Sequence, residues 1–101
     1  TDAHLEHATT VTAVGHATML SGATPTVSGI IDNAWYERAT KTTVESITDR
    51  EAAIVGADGD GGIGASPRRL LVSTLGDQLK LAAAGTPLAP KVIGISLKDR
   101  S

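Results

Sequence analysis

The sequence predicts an α/β fold, of which this chain forms one part. Three observations carry that expectation: a leucine pattern at helical spacing from about Arg68 to Ala84, a Gly85 and Pro87 break after it, and a nearly continuous apolar run from Lys91 to Ser96. Leu70, Leu71, Leu75, Leu79 and Leu81, with Ala82 and Ala83, recur at the spacing that lays apolar side chains along one helical face, and Thr74 marks an internal start or kink. Gly85 and Pro87 close the helix, because glycine tolerates the left-handed exit and proline cannot continue the ladder. The run Lys-Val-Ile-Gly-Ile-Ser then has strand length and little alternation, as expected of a strand buried on both faces. Helix, turn and buried strand make half of an α/β crossover unit, and Lys98 and Arg100 fall just past the strand's carboxyl end, where ligands bind in open α/β sheets.

The earlier elements are shorter. Residues 1–12 are polar and threonine-rich, and Val11 to Val14 lead into a turn. A helix is expected from Gly15 through Leu20, where Ala17, Met19 and Leu20 favour it, Ser21-Gly22 ends it and Pro25 forbids its continuation. Val27 to Tyr36 and Lys41 to Ile47 carry β-formers and predict two extended segments with a turn near Ala39 to Lys41. From Val55 to Ser66 the composition falls to glycine, aspartate and alanine, which predicts a surface loop, and Ser66-Pro67 restarts order.

Composition bounds the function. The chain has 101 residues, 41% of them hydrophobic, which is too apolar for a simple disordered tail. Yet Trp35 and Tyr36 are its only aromatic residues and it has no phenylalanine, so the core-filling side chains of an independent small domain are lacking. Residues 1–101 therefore read as a partial domain. Nine basic and eleven acidic residues are spread without long single-sign runs, which argues against a sequence-blind grip on nucleic acid. Without cysteine there is neither a disulfide framework nor a thiolate metal site. No stretch approaches the ~20 apolar residues of a membrane span, and Thr1-Asp2-Ala3-His4 does not open a signal peptide.

The residues that carry chemistry are Thr12, Asn33, Lys98 and Arg100. A hydroxyl can attack phosphorus, an amide can donate to a phosphoryl oxygen, and a planar guanidinium with a point-charge ammonium suits an oxyanion. Placed at the start of a helix, Thr12 also faces backbone N–H groups that favour anionic oxygens. Read alone, each residue also has an ordinary explanation: Asp32-Asn33 is common turn chemistry, and Lys98 and Arg100 flank Asp99 as a solvated charge cluster would.

Their joint order is more specific. Thr12 stands four residues ahead of His16 in Thr-Ala-Val-Gly-His, followed by Ser21-Gly22, Pro25, Gly29-Ile30-Ile31-Asp32-Asn33 with Trp35-Tyr36, Ser66-Pro67-Arg68, Ser73-Thr74-Leu75-Gly76-Asp77 and finally Ser96-Leu97-Lys98-Asp99-Arg100. This string resembles the alkaline phosphatase superfamily in its branch related to the type I phosphodiesterases and nucleotide pyrophosphatases, nearest the threonine-nucleophile alkaline phosphatases with a Lys-Asp-Arg phosphate-binding motif. Many relatives carry histidine where this chain has Ser28.

The resemblance implies a three-layer α/β/α parent fold. It also implies a phosphate monoester hydrolase that passes through a phosphothreonine intermediate and takes small-molecule phosphate esters. In it Thr12 is the nucleophile and a ligand of one of two zinc ions, and Asn33, Lys98 and Arg100 hold the phosphoryl oxygens. The two cations distinguish the monoesterases from the related diesterases, for a monoester dianion carries more charge than a diester. The other zinc ligands, an upstream aspartate and downstream Asp-x-x-x-His, Asp-His and His motifs, are expected from the remainder of the parent polypeptide, so no activity is expected of residues 1–101 alone. A periplasmic or secreted location follows from the same resemblance. Phosphodiesterase or nucleotide pyrophosphatase activity is the alternative inside the superfamily.

Other patterns point elsewhere. Gly59-Asp60-Gly61-Gly62-Ile63-Gly64 satisfies G-x-G-x-x-G and suggests a nucleotide-binding module, although Pro67 and the lack of an opening βαβ pattern count against it. Asp58 and Asp60 resemble the start of a calcium loop, but the twelfth position from Asp58 is Arg69 and not glutamate. His4 and His7 have a metal-compatible spacing at the exposed terminus, and His16 reads as a hydrogen-bonding residue of the nucleophile turn.

Overall fold

The computed structural model describes residues 2, 4–56, 62–87 and 89–100. Helix α1 spans Thr12–Ser21 and the single-turn α2 spans Pro25–Ser28. Strands β1 (Ala34–Glu37) and β2 (Thr42–Glu45) form one antiparallel ribbon, β3 (Thr48–Asp49) and β4 (Gly64–Ala65) a second, and α3 (Leu75–Ala82) follows. Helices with small antiparallel sheets are compatible with the α/β expectation. Among the described residues no helix is long and apolar enough to cross a membrane.

Helix α1 begins three residues earlier than expected. Val11 is extended and its carbonyl accepts the Gly15 N–H at 2.9 Å, so Thr12, Ala13 and Val14 form the first turn despite two β-branched side chains. The end is as read: Gly22 adopts φ 70°, a left-handed conformation, and returns its N–H to the Thr18 carbonyl at 2.8 Å. Pro25 then opens α2, where a missing N–H costs nothing. That corrects the extended reading of residues 27–33, since Val27 and Ser28 are helical. Helix α1 packs on α2, and Ala13, Val14 and Ile30 are the buried apolar residues of this small core.

The β1–β2 hairpin pairs Ala34 with Glu45 and Trp35 with Val44, and its turn covers Arg38 to Lys41, where Lys41 takes a positive φ. Beyond it, Asp49 is a hub. Its buried carboxylate accepts the Ser66 hydroxyl at 2.6 Å, the Arg68 Nη1 at 2.9 Å and the Glu51 N–H at 3.0 Å. Arg69 donates to the Thr48 carbonyl and Leu71 N–H to the Ser28 carbonyl, so residues 66–71 are stitched to both α2 and β3. Gly64 has to be glycine here, because a Cβ would lie 2.0 Å from the Ala52 carbonyl oxygen.

That stitching explains two corrections. The helix expected from Arg68 starts only at Leu75, because the polar groups of 66–71 are spent on neighbours and Thr74 closes a capping box with Asp77. The loop expected over 55–66 ends sooner, since Gly64 and Ala65 pair with β3. The calcium-like Asp58 and Asp60 and the first three residues of the glycine motif, Gly59 to Gly61, lie outside the described residues.

The largest departure is the run Lys91 to Ser96, which forms no strand. Ile93 and Ile95 are 78% and 94% exposed. A strand exists only where a neighbour takes its N–H and C=O groups, and none of the described residues runs alongside. Lys98 and Arg100 therefore sit on a turn and not at a strand's carboxyl end.

Ser66 first, then the Glu51 N–H and Arg68, hold the Asp49 carboxyl below its ordinary value of 3.8. A depressed folded pKa contributes stability that is present above about pH 4 and lost as pH falls through the lower folded value. In the full-length protein the Ser66 N–H, bonded to the Ile47 carbonyl, should keep its exchange protection from pH 7 to about 4 and lose it below, after correction for intrinsic exchange rates. Asp49→Asn should lower protection at pH 7 and flatten this dependence; an unchanged profile would refute the hub.

Candidate anion and nucleophile site

Thr12 is the first residue inside α1 and is half-buried. The first-turn N–H groups of a helix lack intrahelical acceptors, and Val11 has no side-chain acceptor to offer. Asn33, twenty residues on from Ala13, closes one of them: its Oδ1 accepts the Ala13 N–H at 3.0 Å. Two more bonds fix Asn33 itself, its N–H to Asp32 Oδ1 at 2.6 Å and its carbonyl from the Ser46 N–H at 2.9 Å. With Oδ1 occupied by a donor, the carboxamide keeps its own N–H groups for other acceptors.

Lys98 reaches the same point from the far end of the chain. Its Nζ lies 3.4 Å from Thr12 Oγ1. The turn that presents it is held by Ser96, whose Oγ accepts the Lys98 N–H at 3.1 Å and donates to the Lys98 carbonyl at 2.8 Å. Arg100 hydrogen-bonds to its neighbour in sequence. Its Nε donates to Asp99 Oδ1 at 2.9 Å and its Nη2 to Asp99 Oδ2 at 3.5 Å, and Asp99, with a smaller contribution from Glu45, raises the guanidinium's pKa. Glu45 pairs across the hairpin with Ala34, the residue after Asn33. Thr12 and Lys98 are thus in contact, Asn33 joins them through Ala13, and Arg100 hydrogen-bonds to Asp99 and to none of the three.

His16 behaves as a turn residue: its Nδ1–H donates to the Thr12 carbonyl at 2.9 Å. His7 likewise bonds the Thr9 carbonyl through Nδ1. Among the described residues no three His, Asp or Glu side chains converge to hold a metal. Thr12 Oγ1 is a single oxygen donor whose near neighbour is an ammonium, so the residues present do not by themselves fit a zinc site. An open groove lined by Trp35, Val44, Ile63, Arg68 and Leu71 among others lies elsewhere and excludes Thr12, Lys98 and Arg100.

Sequence reading named Asp99 only as part of a solvated charge cluster and gave Ser96 no role. Each had a local signal: serine two residues before Lys98 can bond that residue's backbone, and an acid beside Arg100 can bond its side chain.

The family described as type I phosphodiesterase / nucleotide pyrophosphatase matches residues 2–91. The chain is 38% identical over 98 residues to the alkaline phosphatase PafA of Elizabethkingia meningoseptica, covering 97% of this chain and 17% of that protein. It is 42% identical over 97 residues to a Myroides odoratus protein named calcium-transporting ATPase, covering 95% and 17% respectively. Against the alkaline phosphatase PhoV of Synechococcus elongatus it is 37% identical over 91 residues, covering 90% and 16%. The chain thus spans at most 17% of each of these relatives. No solved structure matches it.

The Asn33 geometry is open to direct test. Asn33→Ala should leave the Ala13 N–H without its acceptor and cost about 1–2 kcal/mol, read as a lower urea midpoint of the full-length protein at unchanged slope. Asn33→Asp, which keeps the acceptor, should hold the midpoint; equal losses in the two variants would contradict the bond.

Proposed function

Since the chain belongs to the type I phosphodiesterase / nucleotide pyrophosphatase family, we propose that it supplies the nucleophile and phosphate-gripping part of an alkaline phosphatase-type phosphate monoester hydrolase. The observation that carries this reading is the approach of Lys98 Nζ to Thr12 Oγ1 across 86 positions of sequence. A positive head beside a hydroxyl favours the negative charge that builds on both the attacking oxygen and the phosphoryl oxygens. Thr12 Oγ1 loses its proton to water and bonds to phosphorus as the bond from phosphorus to the ester oxygen breaks. The leaving alkoxide takes up a proton, and water later splits phosphothreonine into threonine and phosphate.

Asn33 donates its amide N–H groups to one phosphoryl oxygen, and Lys98 takes charge from another. Arg100 adds a second cation from the same turn. A monoester dianion gains more than a diester monoanion from two cations, which is why the monoesterase reading is preferred. The three-layer α/β/α parent fold belongs to the same proposal, and the exposed run Val92 to Leu97 is the segment that a neighbouring strand in that fold would cover.

Two zinc ions, by resemblance to the superfamily, would supply Lewis-acid activation. Their ligands would come mainly from the remainder of the parent polypeptide, since among the described residues no three carboxylate or imidazole side chains converge. The expected setting is the periplasm or the exterior, and the expected substrates are small phosphate esters. A phosphodiesterase or nucleotide pyrophosphatase is the second reading, favoured by the description of the matching family.

With the full-length protein, Thr12→Ala should abolish both turnover and the acid-stable phosphoenzyme, whereas Thr12→Ser should retain both. Lys98→Ala and Arg100→Ala should each lower monoester kcat/KM by about 10²–10³-fold and diester kcat/KM far less. Equal losses on both esters would favour the diesterase reading. The polypeptide 1–101 alone should show no zinc-stimulated hydrolysis, and measurable turnover from it would overturn the division of labour proposed here.

A further inference from the structure

Arg100 and Asp99 are neighbours in sequence, yet their contact is side chain to side chain and engages two atoms of each: Nε with Oδ1 at 2.9 Å and Nη2 with Oδ2 at 3.5 Å. From this geometry we infer that Asp99 is the positioning residue of Arg100, occupying the Nε edge of its guanidinium so that the Nη1 end is left for the anion. The inference rests on the phosphate-gripping reading of Lys98 and Arg100.

Three considerations support it. Arginine is a long side chain with several rotatable bonds, and a planar fork grips an oxyanion only from a defined direction. Lys98 has its backbone fixed by Ser96, but among the described residues Asp99 is the side chain that holds Arg100. Finally, a carboxylate next to a dianion-binding site would repel the ligand unless its charge were committed, and the two-point contact commits it to Arg100, which also holds the Asp99 carboxyl below its usual range. An exposed ion pair of this kind adds little stability, so its effect should be read in orientation.

The test uses the full-length enzyme with matched monoester and diester substrates. Asp99→Ala should lower monoester kcat/KM by about tenfold, less than Arg100→Ala does, and leave diester turnover within about twofold, which also serves as the folding control. In an Arg100→Ala background the same substitution should add nothing further, since a residue that acts through Arg100 has no target left. Asp99→Asn, which keeps an acceptor for Nε, should recover monoester turnover to within about threefold of the parent. Equal loss on both esters, a full additional loss in the Arg100→Ala background, or an unaltered Asp99→Ala enzyme would each overturn the positioning role. If Arg100→Ala itself leaves monoester turnover intact, the phosphate-gripping assignment fails first and Asp99 loses its role with it.

Discussion

The site depends on how the amino end of α1 is closed. A helix beginning at Thr12 exposes first-turn N–H groups, and the residue before it is valine, which has nothing to offer them. The acceptor comes from Asn33 on the far side of α2, so one hydrogen bond both completes the helix and brings a carboxamide to the nucleophile candidate. Cost and use coincide: an end that needs a partner is also an end that attracts anionic oxygen. The path between them is short, because Gly22 and Gly29 end α1 and α2 in left-handed conformations and Pro25 starts the second helix at once.

The rest of the chain buttresses that corner from behind. Residues 66–71 are bound to Asp49, Thr48 and Ser28, and Leu71 with the Arg69 carbonyl lies so close to Gly29 that a Cβ there would meet them at 2.9–3.0 Å. Ser66 and Arg68 spend their polar groups on a buried carboxylate and so belong to the support, whereas Lys98 and Arg100 stand on an exposed turn. The two arginine–carboxylate contacts differ accordingly: Asp49 is buried beneath its partners, and Asp99 is half open to solvent. A buried acceptor with three donors holds structure, while an exposed pair can be exchanged for a ligand or used to aim one.

What could be read from sequence was whatever local chemistry decides. The stop at Gly22, the turn at Lys41 and the start signal at Thr74 each follow from a residue's own backbone preference or its short-range hydrogen bonds, and each appears where its chemistry puts it. Where long-range partners decide, the reading failed. The amphipathic pattern from Arg68 gave no helix before Thr74 because Asp49, Thr48 and Ser28 took the segment's donors, and the apolar run of 91–96 found no strand to pair with. At the site, an acid beside Arg100 was legible as a local partner, whereas the bond from the Ala13 N–H to Asn33 was set by geometry invisible to spacing.

The contrast between the two cations bears on selectivity. Lys98 is held through its backbone with its Nζ against Thr12 Oγ1, and an ammonium provides charge with little directional demand. Arg100 has part of its donor fork engaged by the Asp99 carboxylate. Charge alone would make a site that holds any dianion, including product phosphate, too well. In the proposed site an ammonium would supply attraction and a guanidinium held by a carboxylate would supply fit, and it is fit that can differ between a bound ester and the transition state that follows.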